Sequence, residues 1–311
     1  MSKLAYIALG FLVGLPTLLW PVSFYRPTPD NYRRGSYPYY LADFDKRVEA
    51  YRRSSTHMSQ SVLVGPSYAV SLGEFGSVYN LGSIGATQCE IAAIIKSHCR
   101  NSDHIFYALT VWNFMLDSTL VRRQSTSKAY RRLFLLKEQV TPSRIIPGRP
   151  WSALYFNSIK FSEEEFESVL EALRAAGKTN SLATTGVLIK RIKHYESMVK
   201  RAFHENWKPN LTPYHHLYKE FPNLVFVIFP SVPLAPISPA DSDLALTINT
   251  LIDAKGALHS AVENSGLPYL DLSEPELLSD MFHSTPEGIE ILRERLLQIS
   301  EDSAAERTAS L

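Results

Sequence analysis

The sequence has no excess of positive or negative charge, and this balance argues against binding to a strongly charged polymer. The chain of 311 residues carries 32 basic and 31 acidic residues, which leaves a net charge of +1. A balance so close to neutral gives no strong electrostatic field toward a nucleic acid. The hydrophobic fraction of 45% is ample for one large α/β domain or two small ones. No internal repeat is visible, and we expect no nucleic-acid partner.

Cysteine is also scarce, because only Cys89 and Cys99 are present, ten residues apart. On a single helix they would lie about 15 Å apart along the axis, too far for a disulfide. A bridge requires the helix to end between them, and two buried free thiols are the other interpretation. Two cysteines so placed do not make a metal site. The adjacent His215 and His216 cannot face one metal ion from a helix or a strand, so we expect no metal and no cofactor.

Charge is missing altogether from one stretch near the amino terminus. No charged residue lies between Lys3 and Arg26, and residues 4–24 are mostly apolar. About twenty residues, rising about 1.5 Å each, cross roughly 30 Å of hydrocarbon. Residues 1–25 are therefore predicted to be a single transmembrane anchor. A cleaved signal peptide is the other interpretation, but residues 18–22 offer no small-x-small cleavage site.

The charges that flank this segment leave its orientation open. Lys3 lies on one side of it, and Arg26, Arg33 and Arg34 lie on the other, so the positive-inside rule favours a cytoplasmic body. No later segment reaches spanning length. The sequence therefore predicts a single-pass protein of the cell membrane with its whole body on one side.

Beyond the anchor, apolar strand patterns alternate with helical patterns. Residues 26–59 are predicted to be a proline- and tyrosine-rich linker followed by a short helix over 41–53. Five apolar runs predict strands over residues 61–65, 78–82, 103–111, 223–230 and 267–272. Strands joined through helices imply a doubly wound parallel sheet, flanked by helices, over residues 60–300. Residues 114–220 form a long helical stretch within it, and residues 301–311 are expected to be a flexible tail.

Four of the helices have identifiable limits in the sequence. Thr87 is predicted to cap a helix over residues 88–97. Helices are also predicted over residues 188–207, 241–265 and 286–299. Helices between the predicted strands imply right-handed crossover connections.

Polar residues follow several strands at the edge where ligands gather in parallel sheets. Ser67 lies in the loop after the first strand, Gly82 ends the second, and Asn113 follows the third. Asp280 and His283, three residues apart, follow the last strand. A serine nucleophile needs a base to take its proton, and that base needs a third group to orient it. The chain supplies all three in the order serine, aspartate, histidine.

These segments resemble the conserved sequence blocks of the SGNH hydrolase (GDSL-type) superfamily over residues 60–300. The matching positions are Gly65-Pro66-Ser67 for the first block, Asn80-Leu81-Gly82 for the second, Asn113 for the third, and Asp280 with His283 for the fifth. The resemblance implies a three-layer, flavodoxin-like fold in which residues 114–220 are a helical insertion.

The resemblance also implies a role for each of the five site residues. Ser67 is the nucleophile, His283 is the general base and then the general acid, and Asp280 orients the imidazole. The oxyanion is stabilised by the backbone N–H groups of Ser67 and Gly82 and by the side-chain amide of Asn113.

Two departures from the family pattern affect the oxyanion side of this site. Pro66 removes a backbone donor beside the nucleophile. Val111 and Phe114 replace the glycine and aspartate that usually bracket the asparagine. Membrane-anchored members that transfer acyl groups to cell-surface polymers often vary at these places, and this chain is similar to that branch.

The expected function is therefore that of a membrane-anchored serine O-acyl esterase or O-acyltransferase. Its expected partners are an envelope polysaccharide or acyl-carrying substrate, and a membrane-bound acyltransferase or polysaccharide synthase. The resemblance favours a body on the extracytoplasmic, periplasmic side.

Three other interpretations stay open at this point. A non-catalytic envelope subunit would keep the fold in order to bind glycan or partner proteins. A lipase would need an apolar acyl groove, for which residues 114–220 show no pattern. An α/β-hydrolase is suggested by the near match of residues 65–69 to Gly-x-Ser-x-Gly, but that family keeps its acid and histidine in separate loops.

Overall fold

The computed structural model describes residues 28–31, 37–54, 60–84, 86–114, 171, 196, 199–200, 202–203, 206–231, 243–274 and 284–309. The predicted anchor, Asp280 and His283 lie outside these residues, as does most of the predicted insertion. None of the helices within the described ranges combines the length and the apolar character needed to cross a bilayer.

One parallel sheet of five strands organises the chain, in the order β2-β1-β3-β4-β5. The strands are β1 (Ser61–Val64), β2 (Val78–Asn80), β3 (His104–Leu109), β4 (Leu224–Ile228) and β5 (Tyr269–Asp271). All five predicted strands are therefore present, each slightly shorter than its apolar run. Every residue of β1 and β3 is buried, as expected for strands that are covered on both faces.

Six α-helices with defined bounds in the described part of the chain accompany the sheet. They are α1 (Tyr37–Ser54), α2 (Ser67–Ser71), α3 (Gln88–His98), α4 (Thr212–Glu220), α5 (Asp243–Glu263) and α6 (Pro286–Ala309). Thr87 caps α3 as predicted, since its side chain accepts from the Glu90 N–H while the Glu90 carboxylate accepts from the Thr87 N–H. The helix α6 runs beyond its predicted end at residue 299 and includes most of the predicted tail.

Alternate residues of each strand project to opposite faces of the sheet, and each face has its own buried cluster. The larger cluster contains Val62, Ile105 and Phe226 and lies beneath α1, α3, α4 and α5. The smaller cluster contains Leu63 and Phe106 and lies beneath α2 and α6. Helices therefore cover both faces, and the predicted α/β fold with a parallel sheet is confirmed.

The helix α6 runs antiparallel to the strands, and two contacts establish this direction. Near its carboxyl end, the buried Ser300 hydroxyl lies 2.5 Å from the hydroxyl of Ser61, at the start of β1. Midway along it, Arg293 Nε donates to the Leu72 carbonyl at 2.6 Å. The fourteen helical rises between residues 286 and 300 span about 21 Å. The amino end of α6 therefore lies toward the carboxyl edge of the sheet.

Candidate active site

Ser67 lies directly beyond the carboxyl end of β1, as the first residue of α2. The backbone at Gly65, between β1 and α2, packs closely against Ala108 and Ala69. A Cβ placed at Gly65 would come 2.6 Å from the Ala108 Cβ and 2.8 Å from the Ala69 Cβ. Only glycine fits at such a distance. The Ser67 side chain is half-buried, and no hydrogen bond to its hydroxyl is formed within the residues that the structure describes.

Pro66 shapes the turn rather than disrupting it. It occupies the N-cap position of α2 in an extended conformation, and its carbonyl accepts from the N–H groups of Ala69 and Val70 at 3.0 and 3.1 Å. The N–H groups at the start of a helix have no acceptor within the helix. The Ser67 N–H therefore keeps its hydrogen available for a ligand, even though Pro66 has none to give.

Asn113 lies in the 3-10 turn Val111–Phe114 that follows β3, and its side-chain oxygen is held from two sides. The Tyr68 hydroxyl donates to Asn113 Oδ1 at 2.5 Å, and the Thr110 N–H donates to the same oxygen at 2.6 Å. A backbone N–H can only donate, so the atom that faces it must be the oxygen of the amide. The orientation of the Asn113 amide is therefore determined by the backbone.

The other end of this amide is a donor without an acceptor. Asn113 is 3% exposed, and its buried Nδ2 has no hydrogen-bond partner among the described residues. A buried donor left unpaired costs about 1–3 kcal/mol, so most such groups in folded proteins are satisfied. An amide fixed in this way has its donor in place before any charge develops, which is the property required of an oxyanion hole.

Tyr68 connects the serine segment to this amide, and the sequence did not indicate its role. Its hydroxyl accepts from the Thr110 hydroxyl at 3.2 Å and donates to Asn113. Burial raises the pKa of Tyr68, so the phenol stays neutral and keeps its proton for that bond. Because Tyr68 directly follows Ser67, its hydrogen bond to Asn113 connects the segment after β1 to the segment after β3 beside the serine.

Gly82 lies beside the same segment, but its N–H already has an acceptor. It donates to Asn80 Oδ1 at 2.9 Å, a local turn of the kind that asparagine often forms. The Asn80 amide nitrogen in turn donates to the Ala69 and Gly73 carbonyls, at 2.7 Å each. In this conformation the Gly82 hydrogen is committed within its own turn, and its role as an oxyanion donor stays a prediction.

Arg47 stabilises the turn that contains Asn80 and Gly82. The guanidinium is buried and donates to the carbonyls of Asn80 and Gly82, the latter at 3.0 Å, while its Nε pairs with Asp43 at 2.8 Å. Burial lowers the pKa of Arg47, and the neighbouring Asp43 opposes that shift. The helix α1 is thereby attached to the loop that borders Ser67.

The predicted acid and base fall between the described segments. Asp280 and His283 lie between Glu274, after β5, and Ser284, before α6, outside the described residues. At the start of α6, the Thr285 hydroxyl accepts from the Gly288 N–H at 2.9 Å. The positions of the triad acid and base relative to Ser67 therefore stay predictions.

The two cysteines are free thiols, but one of them is not buried as expected. Cys89 is exposed, because it occupies the second position of α3 on a side that opens to a cavity. Cys99 is partly buried just after the same helix, and burial raises the pKa of its thiol. Within the ranges described here, no three histidine, cysteine or acidic residues gather as metal ligands do.

A cavity of about 410 Å³ lies on the α3 and α4 side of the sheet. It adjoins the site, because Gln88 lines it and donates through Nε2 to the Asn113 carbonyl at 2.9 Å, while Phe114 lines it directly after Asn113. Sequence reasoning missed this cavity, since its wall comes from α3, from β3 and from residues 207–217, three distant segments.

Comparisons with known proteins do not assign this arrangement to a family. No family model matches the chain, and no curated protein matches it either. What the site does is therefore inferred from its own residues.

Proposed function

We propose that this chain is a serine O-acyl esterase or O-acyltransferase of the SGNH kind, tethered to a membrane by residues 1–25 and acting on an envelope polysaccharide. The observation that carries this proposal is the Asn113 amide, which is buried, fixed in orientation and left with an unpaired donor beside the serine segment. Oxyanion stabilisation by such donors is usually the largest single contribution to acyl-transfer catalysis.

The position of the serine in the sheet supports the same proposal. The strand order is that of flavodoxin-like folds, in which the chain reverses its direction of growth between β1 and β3. Ligands of such sheets bind beyond the carboxyl ends of the strands at this reversal. Ser67 follows β1 and Asn113 follows β3, so the proposed nucleophile and the proposed oxyanion donor flank that crevice.

The direction of α6 is consistent with a proposed base that lies at the same edge of the sheet as Ser67. Residues 275–283 connect the carboxyl end of β5 to the amino end of α6, and both of these ends lie toward the carboxyl edge of the sheet. Leu292 and Leu296 of α6 belong to the same buried cluster as Tyr68 of α2 and Leu72, which follows that helix. The proposed triad requires this connection to hold Asp280 and His283 at the edge of the sheet where Ser67 begins its helix.

In the proposed reaction, Ser67 Oγ attacks the acyl carbonyl carbon while His283 takes the hydroxyl proton. The carbonyl oxygen becomes an oxyanion that accepts from the Asn113 amide and the Ser67 N–H. Collapse of this intermediate breaks the bond to the leaving alcohol, which receives the proton from His283. Water or an acceptor hydroxyl then attacks the acyl-enzyme by the same steps, giving hydrolysis or transfer.

A non-catalytic glycan-binding subunit is the second candidate, and one observation favours it. The Gly82 N–H, a proposed oxyanion donor, is committed to Asn80 Oδ1, and Pro66 contributes no N–H at all. In a binding subunit, neither position would need to donate to a substrate.

Labelling of the serine with a fluorophosphonate distinguishes the two candidates. This probe reacts with serines activated by a base, so we expect the protein to be labelled and labelling to be lost in Ser67→Ala and His283→Ala. The matched control is Ser77→Ala, which removes an exposed serine of a nearby loop and should label as the wild type does. An unlabelled wild-type protein with an intact fold would refute the enzyme and favour the binding subunit.

A further inference from the structure

The cavity beside Asn113 has a mainly apolar wall. Its lining includes side chains of α3, of α4 and of the segments before and between them, among them Ala92, Phe114, Trp207, Tyr214 and Leu217. The ring centroids of Phe114 and Trp207 lie 5.7 Å apart, edge to face, so packed rings close this part of the wall. Ligand sites are commonly lined in this way, by apolar and aromatic side chains with few polar groups.

The polar atoms of the wall are not offered to a ligand inside it. The phenol oxygens of Tyr107 and Tyr214 are fully buried, so the two rings present only carbon to the cavity. Burial raises the pKa of both phenols, and each also affects the pKa of the other. Lys208 and Asn210 are exposed side chains of the lining, and no carboxylate is among its described residues. The interior therefore suits hydrocarbon.

The cavity lies next to the proposed oxyanion donor. Phe114 lines it directly after Asn113, and Gln88, also in the wall, donates through Nε2 to the Asn113 carbonyl at 2.9 Å, which commits that amide nitrogen. Of the two groups that an ester carbonyl carries, a saccharide would leave its hydroxyls unpaired against such a wall, at a cost in free energy. The hydrocarbon of the acyl group would lose nothing there and would leave water.

The size of the cavity separates long acyl groups from short ones. A group the size of a water takes about 30 Å³, so a volume of about 410 Å³ holds on the order of ten such groups. An acetyl group would leave most of this space empty. An acyl group of about six to ten carbon atoms would fill it.

We propose that this cavity binds the hydrocarbon part of the acyl group, and that the group on which the site acts is a medium-length acyl chain rather than acetyl. The chain lies against the aromatic wall while its carbonyl oxygen accepts from the Asn113 amide. The sequence of residues 114–220 shows no pattern of an acyl groove, because the wall combines separate segments of the chain. This inference rests on the proposed function, whose acyl group it specifies.

The first experiment compares acyl chain lengths. The full chain is assayed for kcat/KM with p-nitrophenyl acetate, butyrate, hexanoate and octanoate. We expect kcat/KM to rise by about two- to fourfold per added methylene, because each one leaves water for the cavity.

Ala92→Leu fills part of the cavity from α3. It should lower kcat/KM for octanoate by about tenfold, equivalent to two or more methylene groups left in water, and leave the value for acetate unchanged. The matched control is Ala93→Leu, at the next position of the same helix, half-buried and outside the lining. Cys89→Phe, at an exposed position of the wall, fills the cavity from its surface and serves if Ala92→Leu does not fold.

The second experiment measures binding without catalysis, through the Cys89 thiol. Its alkylation by iodoacetamide is followed by mass spectrometry after digestion with trypsin. Cleavage after Lys96 and Arg100 places Cys89 and Cys99 on separate peptides, so Cys99 is the internal control. The probe is 2-octanone, which carries an alkyl chain on a carbonyl group but has no leaving group, and 2-butanone is the short comparison.

We expect 2-octanone to slow the alkylation of Cys89 severalfold, and 2-butanone at the same concentration to have no effect. Ala92→Leu should lose this protection, and Ala93→Leu should keep it. Equal kcat/KM along the ester series, or a preference for octanoate that both Ala92→Leu and Cys89→Phe retain, would overturn this inference.

Fluorophosphonate labelling on the same samples separates this inference from the proposed reaction. Labelling of Ser67 without protection of Cys89 by 2-octanone would remove the acyl site and leave the proposed reaction intact. Protection without labelling would refute the reaction and leave an apolar ligand site in the cavity.

Discussion

Replacement of Asn113 by aspartate separates the proposed catalytic role of its amide from the structural role of the side chain. The side-chain oxygen accepts from the Tyr68 hydroxyl and the Thr110 N–H, and a carboxylate can accept both bonds in the same geometry. The nitrogen makes no hydrogen bond to any described residue, so the substitution removes none there. The substitution therefore changes one donor into an acceptor at the point where the oxyanion should form.

The structure gives different magnitudes for stability and for catalysis. Asn113→Ala would leave the Thr110 N–H unpaired, at about 1–3 kcal/mol, and would leave the Tyr68 hydroxyl only a long bond of 3.4 Å to the Ala108 carbonyl. A loss of activity could then reflect misfolding. Asn113→Asp keeps these two bonds and should remain folded. Loss of one oxyanion donor costs about 2.7–4 kcal/mol of transition-state stabilisation, a fall of about 10²–10³ in rate.

The assay is the rate of fluorophosphonate labelling, with hydrolysis of p-nitrophenyl acetate as a second measure and urea denaturation as the test of folding. We expect the fluorophosphonate to label the Asn113→Asp protein about 10²–10³ times more slowly than the wild type. Burial raises the pKa of a carboxyl group, and its protonated form can donate, so the deficit relative to the wild type at the same pH should narrow as the pH is lowered. A folded Asn113→Asp protein that reacts at the wild-type rate would refute the role assigned to the amide.

Two further predictions concern the fold around the site and its dependence on pH. Gly65→Ala should lower the free energy of unfolding by about 1–3 kcal/mol, because its Cβ would lie 2.6 Å from that of Ala108; an unchanged urea midpoint would contradict this close packing. The pKa of His259 is lowered by burial, although Asp271, 3.3 Å away, opposes the shift. The folded state therefore binds fewer protons than the unfolded chain just below the ordinary histidine pKa of about 6.5, and stability falls as the pH falls through that window. His259→Gln should remove this part of the slope, measured as urea unfolding at about pH 7 and about pH 5.5; equal slopes in both proteins would show that the shift has no effect on stability.

The strands could be predicted from the sequence because burial on both faces leaves a simple local signal. After the polar first residues Ser61 and His104, the residues of β1 and β3 are apolar without interruption, which is the pattern of a parallel strand inside a sheet. The cap of α3 was equally local, since Thr87 and Glu90 lie within one turn. The extent of α6 was not, because the Ser300 hydroxyl bonds to Ser61 at the far end of the chain.

The commitment of the Gly82 N–H had a signal that was overlooked. Asparagine two residues before a glycine commonly accepts from that glycine's N–H, and Asn80 does so here. The exposed position of Cys89 had no such signal, because it depends on the cavity that α3 shares with residues 207–217. Local patterns report on neighbours in sequence, and this cavity has its walls in three separate segments.

The amino-acid sequence alone determined the order of strands and helices, the place of Ser67 after β1 and the place of Asn113 after β3. These follow from patterns that extend over a few residues. The Thr110 N–H that orients the Asn113 amide is also local, since it lies three residues away. Only the tertiary structure brought the Tyr68 hydroxyl, 45 residues away in the chain, to the same oxygen and buried the amide nitrogen without a partner among the described residues. Burial and contacts between distant segments depend on the packed fold, and no local pattern contains that information.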